Sequence, residues 1–312
     1  MKTFLTRTHI SIIILILSLL GCGEEIPQSA IEQILKSDPV QSADIDVSTT
    51  QVTAVPAHIQ EPLLAPDGEP IYHKYIDAGG IALVSTNNVD DRILQACREM
   101  ILSLTGKHPR IRQTLSPEND FRIIIYDSGV ESWDDLNIRI ASTPVPIGFC
   151  SGSACAIPIE FDPEHAGFFG ISMKIFLHEF AHAIHGALVT DNTIVPEFGQ
   201  RLIEAYNEGL QSPKYKAYPD DYEYTSASEY WAELSARYYK ALSSYLKNVK
   251  PPPGYEHIHD ADEVRAEYLT VMQETYPKLL ALLQDVYPQK MVRWQDLMVK
   301  YNLGPKEKYF WE

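Results

Sequence analysis

The chain has 312 residues, and 42 Asp plus Glu against 26 Lys plus Arg leave it with a formal charge of −16. An apolar share of 45% is enough to bury a core for one large or two small domains, which excludes wholesale disorder. A surface this acidic, with no run of Lys or Arg to override it, repels phosphate backbones and argues against nucleic acid as a partner.

Lys2 and Arg7 precede an apolar run from Ile10 to Leu20 that only Ser11 and Ser18 interrupt. Such a run is short for a bilayer span and fits the core of a secretory signal, so residues 1–21 are expected to be cleaved. It ends in Leu19-Leu20-Gly21-Cys22, which resembles the lipobox of bacterial lipoproteins, where the Cys becomes the lipidated first residue. The resemblance implies an extracytoplasmic protein of the bacterial cell envelope, joined to the membrane through a lipid on Cys22. Plain secretion with Cys22 incidental is the alternative. From residue 22 to 70 the chain is rich in Ser, Thr, Gln and Asp, holds six prolines and has one apolar cluster, Ile31 to Leu35. That composition predicts a flexible tether.

Folded sequence is expected from about Ile71. Ile81 to Ser85 reads as a strand, Asn88 or Asp90 as a cap, and Ile93, Leu94, Cys97, Met100 and Ile101 recur at helical spacing. Phe121 to Tyr126 is a second strand, and the pattern leaves open whether the two run parallel. Cys97 reads as a buried free thiol. Cys150 and Cys155 bracket the small residues Ser151-Gly152-Ser153-Ala154 and can close a local disulfide in an oxidising compartment. A two-cysteine metal site is the rival reading, with no further ligands nearby. Glu160, Asp162, Glu164 and His165 read as ordinary surface. Beyond them, 171–188, 198–210, 226–246, 260–275 and 276–286 all show helical periodicity, and Pro251-Pro252-Pro253 enforces a break. The expected class for 71–312 is α+β, a small sheet-containing subdomain followed by a helical one.

Within the first of these helical segments, Phe176-Leu177-His178-Glu179-Phe180-Ala181-His182-Ala183-Ile184-His185 contains H-E-x-x-H. Four helical residues turn the chain by about 400°, so His178 and His182 stack on one face about 6 Å apart, a spacing that suits two imidazoles on one Zn²⁺. Glu179 lies beside that face, where a carboxylate takes a proton from a water instead of binding the metal. The pattern arises by chance in about one chain in a hundred of this length, so alone it is compatible with a helix carrying two half-exposed histidines.

A catalytic zinc needs one more protein ligand. The position six beyond the second His, where metzincins place theirs, is Leu188, which excludes that class. Farther on, Glu229-Tyr230-Trp231-Ala232-Glu233 sets two carboxylates four residues apart on one helix face, in an apolar stretch where acids need a cationic partner. The pair H-E-F-A-H and E-Y-W-A-E, with 46 residues between His182 and Glu229, resembles the gluzincin metallopeptidases of the anthrax lethal factor catalytic-domain type and their bacterial secreted relatives. The resemblance implies a zincin-like active-site helix, Glu229 as third zinc ligand, Glu233 supporting a zinc-bound His, and Tyr222 stabilising the tetrahedral intermediate. It is sharp over about 178–237, with Thr225 in its familiar place. Ser226, Trp231 and Ala181 depart from the common residues and leave the ligand set intact.

His185 also falls on the ligand face, as a support of a ligand, a substrate contact or a core histidine. His257, His259 and Asp260 read as a solvated loop, and Tyr230, Trp231, Tyr238, Tyr239 and Tyr245 as core or cleft wall. Together the residues and the resemblance imply a zinc-dependent peptidase anchored to the cell envelope and acting on peptide or protein substrates. Its rival is a non-catalytic zinc-binding surface lipoprotein serving as a binding or scaffold module.

Overall fold

The computed structural model describes residues 51–60, 70–119, 121–127, 136, 148–150, 154–158, 166–212, 221–242, 269–292, 297 and 300–303. The signal segment 1–21, Cys22, the cluster 31–35, the surface loop 160–165, Tyr245, Pro251 to Pro253 and His257 to Asp260 lie outside these residues.

The fold is α+β. Strands β1 (Lys74–Asp77) and β2 (Ala82–Ser85) form an antiparallel hairpin. Its turn uses Gly79 and Gly80, both at positive φ, whose N–H groups donate to the Asp77 carboxylate. Helix α1 (Asp91–Leu104) follows, capped by Asp90, whose carboxylate accepts from the Arg92 N–H at 2.9 Å. It carries the chain across to β3 (Arg122–Tyr126), which pairs parallel to β2, after the short helix α2 (Arg110–Thr114). The order in the sheet is β1-β2-β3-β5-β4, with β4 (Phe149–Cys150) at the edge and antiparallel to β5 (Ala154–Pro158), which is parallel to β3.

Alternation along these strands builds two cores, because successive side chains leave opposite faces. Leu83, Ile123, Ile125, Cys155 and Ile157 face the helices and join their packing. Ala82, Val84, Ile124, Tyr126, Ala154 and Ala156 face the other way, where Tyr72 covers them together with Val55 and Ile59. The tether read from composition therefore ends earlier than residue 70. Thr53 bridges to Tyr75, the helical turn Ala57–Gln60 follows, and Ile59 is 6% exposed. Two apolar residues four apart are too few to register against a proline-rich background, yet they are what the exposed sheet face needs.

The helical part begins with α3 (Ala166–Thr190), apolar on nearly every side, with most of its residues from Phe176 to Leu188 buried. Helix α4 (Phe198–Gly209) follows, then α5 (Ala227–Leu242), a helical stretch at 269–275, and α6 (Pro277–Val286) with Pro at its first position. α5 packs along α3. The Trp231 indole N–H donates to the Ala181 carbonyl at 2.9 Å, and its ring meets Phe198 edge-on and stacks on Tyr287. Tyr230, Tyr238 and Tyr239 are buried core, and Cys97 is a buried free thiol whose pKa burial pushes up.

Truncating Ile59 to Ala should lower stability by about 2 kcal/mol, the low end for a buried Ile because the site is peripheral. Urea unfolding of the full chain checks this, and an unchanged midpoint would return residues 51–60 to the tether.

Candidate metal centre

The site lies where α3 crosses α5. α3 delivers His178, Glu179, His182 and His185, and α5 delivers Ser228, Glu229 and Glu233. The start of α5 is set by Ser226, whose hydroxyl accepts from the Glu229 N–H at 3.1 Å. Ser is a favourable residue at such a cap, and Glu229 occupies the first turn of the helix.

Three atoms converge. His178 Nε2 is 3.2 Å from His182 Nε2, and Glu229 Oε2 is 3.0 Å from the first and 3.3 Å from the second. A tetrahedral ion with bonds of about 2.0–2.1 Å spaces its ligand atoms by about 3.3–3.4 Å, so the triangle is slightly tighter than, and close to, the size that a zinc ion takes. The rings are turned to offer these atoms. His178 Nδ1 lies 3.4 Å from Glu233 Oε2, and His182 Nδ1 lies 2.9 Å from Ser228 Oγ. An ionised carboxylate only accepts, so the His178 Nδ1 carries a proton and its Nε2 is the free lone pair. Two imidazole nitrogens facing a carboxylate this closely repel as lone pairs unless a cation or a proton sits between them. Among the described residues, these three are the group of His, Cys, Asp and Glu that can hold a metal ion.

Electrostatics agree with a site built for positive charge. Burial pulls the His178 imidazole down, but hydrogen bonds to Glu229 and Glu233 outweigh it and set its pKa at about 9. Without an ion, that proton is what holds the cluster together, and a metal displaces it. Burial also works against ionising Glu229, yet both histidines hold its carboxyl far below the usual range. Glu179 moves the other way: burial raises its pKa, partly offset by His178 and His182, giving a carboxylate more basic than a surface one.

The cluster opens onto a cleft of about 750 Å³ that Glu179, His185, Tyr222, Ser228 and the edge residues Gly148, Phe149 and Cys150 help to line. Tyr222 is 59% exposed, its ring 5.9 Å from that of His178. Burial and the charge of Glu229 push its hydroxyl up to about 12, so it keeps its proton at neutral pH and can donate. Tyr224 points elsewhere. It is buried, its hydroxyl 3.2 Å from that of Tyr276, while its carbonyl accepts from the Tyr206 hydroxyl. The turn between them, Tyr222–Tyr224, is pinned by Glu223, a buried acid paired with Arg237 at 2.5 Å and accepting from the Tyr276 hydroxyl at 2.8 Å. Arg237 also reaches Glu233 at 3.5 Å.

The structure thus brings together His178, Glu179, His182, Glu229, Glu233, His185 and Tyr222. The sulfurs of Cys150 and Cys155 lie 1.97 Å apart on facing positions of β4 and β5. Compared with known protein families, with curated proteins and with solved structures, the chain finds no match. Among the described residues no helix is long and apolar enough to cross a membrane.

Sequence reading missed Ser228, Glu223, Arg237 and Gly148. The last carried a readable signal only in being a glycine. A Cβ there would stand 2.8 Å from Glu179 Oε1 and 2.5 Å from Ile175 Cγ2, so the missing side chain is the space the Glu179 carboxylate needs. Gly148→Ala is expected to keep the metal and displace that carboxylate, lowering turnover at least ~10-fold. Steady-state kinetics beside a zinc assay checks it, and parental turnover would show that Glu179 has room to spare.

Proposed function

We propose that the chain is a zinc-dependent peptidase of the gluzincin kind. The observation that supports it best is the triangle of His178 Nε2, His182 Nε2 and Glu229 Oε2 beside a basic Glu179, at the mouth of an open cleft. A structural zinc has no use for a base next to it or for a cleft; a catalytic one has both. The H-E-F-A-H and E-Y-W-A-E resemblance points to the same reaction.

A zinc ion held by these three residues would act as a Lewis acid, polarising the scissile carbonyl and acidifying the attacking water. Glu179 takes the proton from that water and passes it to the departing amine, for which its raised pKa suits it. Tyr222 donates to the carbonyl oxygen as negative charge builds there. Glu233 and Ser228 hold the two imidazoles in the orientation the ligands need. The substrates proposed are peptides or proteins. On the Leu19-Leu20-Gly21-Cys22 sequence, we read the enzyme as lipid-anchored in the bacterial cell envelope, outside the cytoplasm.

The test is cleavage of a peptide library by the full chain. Glu179→Gln should retain zinc and lose at least ~10² in turnover. Tyr222→Phe should lose roughly 10² in turnover with little change in the Michaelis constant, and Tyr224→Phe only a few-fold. Absence of cleavage by the zinc-loaded parent, or unchanged turnover in Glu179→Gln, would end the peptidase reading.

A further inference from the structure

The two imidazoles of the metal centre are supported differently. His178 rests on a carboxylate, Glu233, whereas the Nδ1 of His182 meets a neutral hydroxyl, Ser228 Oγ, at 2.9 Å. The same oxygen lies 3.2 Å from Nδ1 of His185. One hydroxyl with one proton therefore stands between two ring nitrogens. A neutral imidazole carries a single N–H. Since His182 turns Nε2 toward His178 and Glu229, its proton sits on Nδ1, and Ser228 must accept it. The serine proton is then left to donate, and His185 Nδ1 receives it.

We propose that Ser228 is the positioning residue of the metal ligand His182, and that His185 fixes the direction of the Ser228 hydroxyl so that its lone pair faces His182. The inference rests on the peptidase reading for the identity of the metal. It gives Ser228 a task that its place in the sequence conceals: α5 supplies a ligand at Glu229 and, one residue earlier, the support for a ligand on another helix. It also assigns His185 a role, which its position on the ligand face of α3 left open. Held from a neutral group, His182 is oriented without the added negative charge that Glu233 brings to His178. The ligand set thus keeps one carboxylate-backed and one hydroxyl-backed imidazole.

Zinc affinity of the full chain, read by competition with a chromophoric chelator, tests this apart from any turnover. Ser228→Ala should bind zinc about 10–100-fold more weakly than the parent, the usual cost of losing such a support. Ser228→Thr keeps the hydroxyl and should stay within a few-fold, and His185→Phe should fall between the two. In the zinc-free state Ser228→Ala should melt within a few degrees of the parent, because only the two hydrogen bonds to His182 and His185 are lost. Parental affinity in Ser228→Ala, or equal weakening in Ser228→Thr, overturns the proposal while leaving the peptidase reading standing. A parent chain that fails to bind zinc removes both.

Discussion

Two imidazole lone pairs and a carboxylate oxygen held within 3.3 Å of one another are an arrangement that proteins sustain only around a cation or a proton. The rest of the helical part can be understood as the framework that keeps them there. α3 is apolar on nearly every side because it must be buried while presenting one polar face, and α5 is locked to it by the Trp231 N–H on the Ala181 carbonyl. Behind His178 and His182, Glu233 and Ser228 meet the Nδ1 of each ring and leave both Nε2 atoms facing Glu229. Arg237 spans Glu233 and Glu223, so the group supporting His178 and the turn presenting Tyr222 share one guanidinium. A buried carboxylate such as Glu223 is costly without such a partner, which makes this turn a defined position rather than a loose loop.

The sheet contributes the opposite wall. β4 is its edge strand, and Gly148 just before it lets the backbone approach Glu179 closely enough to confine the carboxylate. Cys150, on that edge, faces Cys155, whose sulfur lies against the Glu179 carbonyl. The Glu179 carboxylate is thus bounded by backbone on one side and by its own helix on the other, and its raised pKa follows from that enclosure.

Much of this arrangement was legible in the sequence because the signals were strong in the two helices that meet at the cluster. H-E-x-x-H in an apolar helix and two glutamates four apart are patterns that spacing alone can carry, whereas Tyr222 entered only through the family resemblance. The helices expected at 198–210 and 276–286 were readable to within a few residues, as were β2 and β3, whereas α3 begins at Ala166 rather than at 171 and residues 260–268 lie outside the described residues. What escaped was encoded in contacts rather than in patterns. β5 is Ala-Cys-Ala-Ile-Pro, with one large apolar residue, Ile157, too few to show alternation. Residues 51–60 look like linker until the uncovered sheet face is considered. Ser228 and His182 are 46 positions apart, and nothing at either place announces a hydrogen bond between them.

X-ray absorption at the zinc edge of the purified full chain tests the central claim most directly, since it reports both the presence of the ion and the atoms around it. The account predicts about one zinc per chain, surrounded by nitrogen and oxygen at about 2.0–2.1 Å, with the scattering pattern of two imidazoles. A sulfur neighbour at about 2.3 Å, or a chain that emerges without zinc and cannot be loaded with it, would contradict the account.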